Sequence, residues 1–297
     1  MNQHKVLRYS MKTLALALSG GGIRGCAHLG VLLALEQAQI PVVAIAGTSS
    51  GAIAAMLFTR ATPDTRDQTF QKLEQIGRLG YAELEYLFHP PKNPNPLDAF
   101  SKTVASWEKV IRGGVFGAGL VSAEPLRSSL IALVGGARFE DSPIPLAFLA
   151  VDIITGERVI LRQGSMLEAA LASSAIPGVF APVQIAGRFL VDGHVLENVP
   201  CSVAREIAPQ AVVMAVDVGD ESTPALAPKT ALDVILRSAH ISRDALRRAS
   251  LNNADLILRL GDLPGGAFEY GQSQALFEAG FARTKAMLPE IIKLLVA

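Results

Sequence analysis

The clearest pattern of apolar and polar positions lies between residues 14 and 60. Residues 14–18 read LALAL, an unbroken apolar run, and lead into Ser19-Gly20-Gly21-Gly22-Ile23-Arg24-Gly25. Apolar positions then recur at helical spacing to about Gln39, with Leu29, Leu32, Leu33 and Leu35 among them, and Pro41 stops the run. A second apolar run, 42–46, ends in Gly47-Thr48-Ser49-Ser50-Gly51, and the alanine-rich stretch 52–58 propagates another helix. The pattern predicts strand, glycine turn, helix, strand, tight turn, helix: a βαβ unit with one helix added.

Further along, the pattern loosens and then recovers. Residues 64–80 carry a helical spacing (Phe70, Leu73, Ile76), and 97–111 another; between them Pro90, Pro91, Pro94 and Pro96 mark a loop. The section 62–120 has no strand signal and reads as a helical and loop insertion, either a cap over a site or an ordinary excursion. Regular alternation resumes with a helix at 123–133 behind Ser122 as N-cap, a strand at 145–153 and a hairpin through Thr155-Gly156 to 158–161. A helix at 166–173 follows, then a second hairpin (183–185 and 188–191) running into Asp192-Gly193-His194. The remainder predicts a helix at 199–206 with Pro200 in its first turn, a strand at 211–216, a long helix at 229–250, a strand at 254–260 and a helix at 272–294. Alternating strands and helices indicate an α/β fold: a mainly parallel central sheet with helices on both faces, three layers deep, in a single domain of residues 1–297.

Composition narrows the classes. Half of the 297 residues are hydrophobic and 18% are charged, which indicates a globular chain with a substantial core. Lys plus Arg balances Asp plus Glu at 27 each, so no basic field draws the chain to nucleic acid. Cys26 and Cys201 have no metal spacing and suggest free thiols in a reducing compartment, and no metal site is expected. Lys5, Arg8 and Lys12 before an apolar run imitate a secretory leader, but 14–18 is shorter than the ~7–15 residues such a region needs. Residues 1–12 therefore read as a loose leader, and the chain as soluble and cytoplasmic.

The two glycine turns carry the chemistry. A right-handed βαβ crossover lays its strands side by side and parallel, so both turns open at one edge of the sheet. Ser49 stands in G-x-S-x-G (Gly47, Ser49, Gly51), whose glycines permit a sharp strand-to-helix turn that exposes the hydroxyl. Gly21 and Gly22 offer unobstructed main-chain N–H groups suited to an oxyanion hole. The spacing Gly20-x-Gly22-x-x-Gly25 also fits a dinucleotide fingerprint, but the next strand ends in Ala46-Gly47-Thr48 rather than in an acidic residue, and no Lys-Ser/Thr completes a P-loop. A base for Ser49 could be one of five histidines (His4, His28, His89, His194, His240) or Asp192, which ends an apolar strand beside Gly193. A carboxylate withdrawn from water is the stronger base.

Taken in order, Gly20-Gly21-Gly22-Ile23-Arg24-Gly25, Gly47-Thr48-Ser49-Ser50-Gly51 and Asp192-Gly193 resemble the three signatures of patatin-like phospholipases. The stretches 152–157 and 172–182 look like bacterial members of that family, and the likeness runs from about residue 13 to 217. The resemblance implies a Ser-Asp dyad, with Ser49 as nucleophile and Asp192 as base, and an oxyanion hole from Gly21 and Gly22 with Arg24 nearby. It implies a serine acyl hydrolase of lipid carboxylic esters, phospholipase A-like or lysophospholipase-like, working without a cofactor and contacting a membrane surface transiently from the cytoplasm. One position departs: the family usually has Ala or Gly after Asp-Gly, and this chain has His194. Two other readings stay open, a Ser-His-Asp esterase using His194 or His240 and a non-catalytic binding protein on the same fold. Arg237, Arg243, Arg247 and Arg248 give the long helix a basic cast, read as a solvated face with Asp233 and Asp244 as counter-charges. Head group, acyl length and oligomeric state leave no mark in the sequence.

Overall fold

The apolar runs become strands: β1 (Leu14–Leu18), β2 (Val42–Thr48), β3 (Leu146–Asp152), β4 (Arg158–Leu161), β5 (Val183–Ile185), β6 (Arg188–Asp192), β7 (Val212–Asp217) and β8 (Leu256–Arg259). In the computed structural model, which describes residues 12–60, 119, 121–219, 227–228, 231–263 and 265–296, they form one sheet in the order β5-β6-β3-β2-β1-β7-β8, with β4 paired to β3. The run from β3 to β8 is parallel throughout, while β4, β5 and β6 add antiparallel pairings at one side. The helices are α1 (Cys26–Gln37), α2 (Ser50–Arg60), α3 (Glu124–Val134), α4 (Met166–Ser173), α5 (Cys201–Ile207), α6 (Ala231–Ser250) and α7 (Ser273–Val296). The expected leader at 1–12 and insertion at 62–120 fall, but for Lys12 and Gly119, outside the described residues.

Both faces of the parallel sheet are covered, which is why β1 reads as continuous apolar sequence instead of alternating with polar residues. Leu14, Leu16 and Leu18 pack in a core with Leu29, Leu32 and Leu35 of α1, Met56 of α2 and Leu276 of α7. Ala15 and Ala17 point the other way, into a smaller core with Ala44 and Ala46 of β2 and with Val203 and Ala204 of α5. The leucine face packs against α1, α2 and α7, and the alanine face lets the short α5 lie close to the sheet.

Element boundaries shift slightly from the expected ones, with physical reasons. Ala123 occupies the N-cap position of α3, yet the Ser122 hydroxyl accepts the Glu124 N–H at 3.1 Å, so the serine still serves that helix end. Pro200 is the N-cap of α5 rather than a residue of its first turn. On α6 the basic face is not all solvated: Arg247 turns inward and pairs with buried Asp217 at the end of β7, Nη1 to Oδ2 at 2.9 Å. Arg243 sits 3.3 Å from Asp244 on the same helix. Among the described residues, no helix is long and apolar enough to cross a membrane.

Helices α1 and α7 meet at two glycines. A Cβ on Gly30 would fall 2.1 Å from the Phe277 carbonyl oxygen, and one on Gly280 would fall 2.2 Å from that of Ala27. The contact is backbone against backbone, so neither helix accommodates a methyl group without moving. Helix propensity alone makes Gly→Ala stabilising by about 1 kcal/mol, whereas overpacking costs about 1–3 kcal/mol. Gly280→Ala is therefore expected to lower the urea midpoint, and Gly30→Ala likewise. A raised midpoint in both would show that the helices do not meet this closely.

Candidate active site

The geometry of the site begins with the pairing of β3. One edge of β3 pairs with β4 over Phe148–Val151, so everything else bonded to those residues lies on the opposite edge. On that opposite edge β2 pairs in parallel as far as Thr48↔Leu149, and β6 pairs antiparallel from Ala150↔Asp192 onward. The C-terminal ends of β2 and β6 therefore meet head to head at consecutive residues of one strand. Ser49 follows Thr48 directly, and Asp192 closes β6. Gly193 tightens the junction, since a Cβ there would lie 2.4 Å from the Leu149 carbonyl oxygen.

Ser49 turns the chain from β2 into α2 with φ at 54°, a left-handed conformation that costs a non-glycine residue roughly 1–2 kcal/mol. The surroundings hold it there. Its carbonyl accepts the Ala52 and Ile53 N–H groups at 2.9 and 3.1 Å. Its N–H donates to Ser173 Oγ at 2.9 Å, and Ser173 Oγ–H donates on to the Leu149 carbonyl. Both flanking glycines are sterically required: a Cβ on Gly47 would meet Ala52 N at 2.6 Å, and one on Gly51 would meet the Leu18 carbonyl oxygen at 2.2 Å. Among the described residues the Ser49 hydroxyl makes no hydrogen bond, to Asp192 or to any histidine.

The first glycine turn is its neighbour, as the parallel β1–β2 pairing with Leu18 opposite Gly47 requires. A Cβ on Gly20 would stand 3.1 Å from Ser49 Cβ. The turn winds as a 3-10 helix over Gly22–Gly25, with Gly22 at φ 60°. Gly20 N–H donates to the Asn198 carbonyl, Ile23 N–H to Ala267 and Arg24 N–H to Gly21. Among the described residues the N–H groups of Gly21 and Gly22 have no protein acceptor.

Arg24 corrects an expectation. Its side chain is buried, and all five of its N–H donors go to carbonyls: Nε to Val218, Nη1 to Leu263 and Gly265, Nη2 to Leu260 and Gly261, at 2.7–3.0 Å. It has no N–H left for an oxyanion, and it fastens the glycine turn to the chain beyond β7 and β8 instead. His28 braces the same turn from α1. Its Nε2 lies 2.8 Å from the Ser19 carbonyl oxygen, which selects the tautomer with hydrogen on Nε2, and buried Nδ1 has no partner. Burial pushes its pKa down from 6.5 to about 4, against smaller opposing contributions from the Ser19 carbonyl and the Asp217 charge.

Asp192 is 1% exposed. Its N–H donates to the Ala175 carbonyl, which anchors the backbone. Oδ1 accepts the His194 N–H at 2.9 Å and lies 3.1 Å from His194 Nδ1, while Oδ2 is buried without a partner. His194 thus touches the carboxylate and not the serine. His240, on α6, is half-buried, and burial first, then Arg243, disfavours its protonation.

A cavity of about 130 Å³ opens beside Ser49. Its walls are largely apolar, with Ile23, Leu29, Ile53, Leu57, Phe180 and Phe268 among them. Three hydroxyls break that lining: Ser49 and, with buried Oγ atoms that have no partner, Ser50 and Ser174.

A known family covers this same stretch, for the patatin-like phospholipase model matches residues 16–205. The chain belongs to the patatin-like phospholipase family. An NTE family protein of Mycobacterium tuberculosis is 32% identical over 191 residues, 64% of this chain and 45% of that protein. Patatin-like phospholipase domain-containing protein 6 of Mus musculus is 28% identical over 211 residues, 70% of this chain and 14% of that protein. The chain thus spans less than half the length of these curated relatives. Among solved structures, human GIVD cytosolic phospholipase A2 aligns over 99% of this chain and 61% of its own at 10% identity and a TM-score of 0.49. VipD from Legionella pneumophila aligns over 95% and 67% at 16% identity and 0.42.

The patatin-like match holds Ser49, Asp192 and both glycine turns, but the site draws on more. Residues 260–263 and 265–268, beyond the match, supply acceptors to Arg24 and Ile23 and two walls of the cavity. Sequence reasoning missed them, because a loop of carbonyl acceptors has no residue signature. Ser173, Ser174, Ile176 and Phe180 had a signal: they lie in the stretch 172–182, which resembles the family but had no assigned role.

The His28 geometry has a stability consequence. Below about pH 6.5 the unfolded chain binds a proton that the folded chain refuses until about pH 4, so stability falls as pH drops through that window. The full effect is about 3 kcal/mol. Urea denaturation at pH 7 and pH 4.5 should show a steeper acid loss for the wild type than for His28→Gln. Equal losses would mean that His28 carries no such linkage.

Proposed function

We propose that this protein is a serine acyl hydrolase of lipid carboxylic esters, acting through a Ser49–Asp192 dyad and an acyl-serine intermediate. The observation that carries the reading is the head-to-head meeting of β2 and β6 on one edge of β3, which brings a strained serine at the wall of a cavity near a buried carboxylate with one open oxygen. Membership of the patatin-like phospholipase family supports it, and so does the apolar cavity at Ser49, which suits an acyl chain.

In this reading Ser49 Oγ attacks the ester carbonyl carbon while its proton passes to Asp192 Oδ2. The oxyanion that forms is held by the Gly21 and Gly22 N–H groups, whose lack of protein acceptors leaves them ready to donate. Collapse breaks the bond to the alcohol, which leaves with the proton from Asp192. Water then gives a proton to Asp192 and adds to the acyl carbon, and the second collapse releases the fatty acid as Ser49 recovers its proton. Lipid esters are drawn from membranes, so the reading includes transient contact with a membrane surface. The Ser-His-Asp alternative has less support, because the family likeness rests on Ser49 and Asp192-Gly193 and on no histidine.

Ser49→Ala and Asp192→Asn are each expected to abolish ester hydrolysis, a loss of at least about 10³-fold, with unchanged circular dichroism. A fluorophosphonate probe should label the wild type and not Ser49→Ala. Turnover retained in either variant, or no labelling of the wild type, would remove the dyad.

A further inference from the structure

The cavity beside Ser49 begins where two helices touch. A Cβ on Gly25, at the head of α1, would fall 2.6 Å from Ser50 Cβ, at the head of α2. From that contact the lining continues along both helices, through Cys26 and Leu29 on α1 and through Ile53, Ala54 and Leu57 on α2. Residues three and four apart share one face of a helix, so Ser50, Ile53, Ala54 and Leu57 form a single stripe that leads away from Ser49 for about 10 Å. Leu29, Ala54 and Leu57 are buried, and all three pack in the leucine-face core. The space of about 130 Å³ is close to the roughly 150 Å³ that receives one benzene in an engineered apolar cavity, which corresponds to about six carbons.

We propose that this cavity gauges the acyl chain: it encloses about the first six carbons, counted from the ester carbonyl at Ser49, and ends at Leu57. This acyl limit rests on the serine hydrolase reading above. Each methylene taken from water into an apolar wall raises kcat/KM roughly three- to fourfold. The gain stops where the wall is reached, because the side chains of a close-packed core cannot retreat without clashes or voids elsewhere. Carbons beyond that point stay outside the cavity and add little. The core between α1 and α2 therefore sets the limit, and Leu57 is the residue that determines it. A lipid's longer chain is felt only through the part nearest its carbonyl.

The test is kcat/KM for p-nitrophenyl esters from acetate to dodecanoate, each held below its micelle concentration, with Ser49→Ala as reference. From acetate to about the hexanoate, kcat/KM should rise roughly three- to fourfold per methylene, and from octanoate to dodecanoate it should stay within about twofold. Leu57→Ala, which removes three carbons from the far wall, should move the end of the rise outward by about two carbons. If that variant does not fold, Ile53→Val takes its place; Ile53 is only half-buried, so the loss is milder, and the expected shift is about one carbon. A rise unbroken to dodecanoate, a profile flat from acetate onward, or an unmoved limit in the folded variant would overturn the acyl gauge while the hydrolase reading stands. Turnover retained in Ser49→Ala, or none in the wild type with any ester, would instead remove the hydrolase reading, and this one with it.

Discussion

One edge of β3 is shared by two strands that arrive from opposite directions, and the candidate site exists because of it. A strand offers one row of donors and acceptors per edge. With β4 bonded along the far edge, β2 and β6 can both pair with β3 only by ending where the other begins, at Leu149 and Ala150. Each strand must then leave the sheet sharply. β2 leaves through a left-handed serine between two glycines that have no room for a side chain, and β6 leaves through Asp192-Gly193 into a 3-10 turn. The strain at Ser49 and the constriction at Gly193 are two sides of one topological demand.

A second constraint fixes the turn that faces this junction. Placing a guanidinium out of reach of water is costly unless every donor finds an acceptor, and five carbonyls from residues 218 and 260–265 meet that condition for Arg24. The glycine turn is thereby tied to the C-terminal third of the chain, while His28 ties it to α1 through the Ser19 carbonyl. The N–H groups of Gly21 and Gly22 gain their fixed direction from these attachments. Rigidity of that kind is what lets a donor stabilise developing charge without first reorganising.

How much of this the sequence disclosed follows the range of the interaction concerned. The adjacency of the two glycine turns was readable, because a right-handed βαβ crossover leaves parallel neighbours no alternative, and Leu18 does pair with Gly47. The mainly parallel sheet was readable too, from the alternation of strands with helices. Asp192 was singled out as a strand-end carboxylate and as one candidate base among several, but only the resemblance chose it over the histidines, since no local pattern states that β6 will abut β2 on β3. Arg24 was placed near the oxyanion hole on the resemblance alone, and nothing near it in sequence reveals five carbonyls waiting more than 190 positions away.

The distribution of unmet hydrogen-bonding capacity separates the working part of this site from its frame. A buried polar group without a partner costs a folded protein stability, so native structures keep few of them. Here Asp192 Oδ2, Ser50 Oγ and Ser174 Oγ are buried and unpartnered, the two serines in the wall beside Ser49. The Gly21 and Gly22 N–H groups are without a protein acceptor among the described residues. The frame is the reverse: Arg24 places all five donors, Ser173 both accepts and donates, and Asp192 Oδ1 has two close nitrogens. His28 Nδ1 is the exception in the frame, buried and unpartnered too, so such vacancies are not confined to the site; those of Ser50 and Ser174 line the apolar cavity at Ser49, where an incoming polar group would meet them.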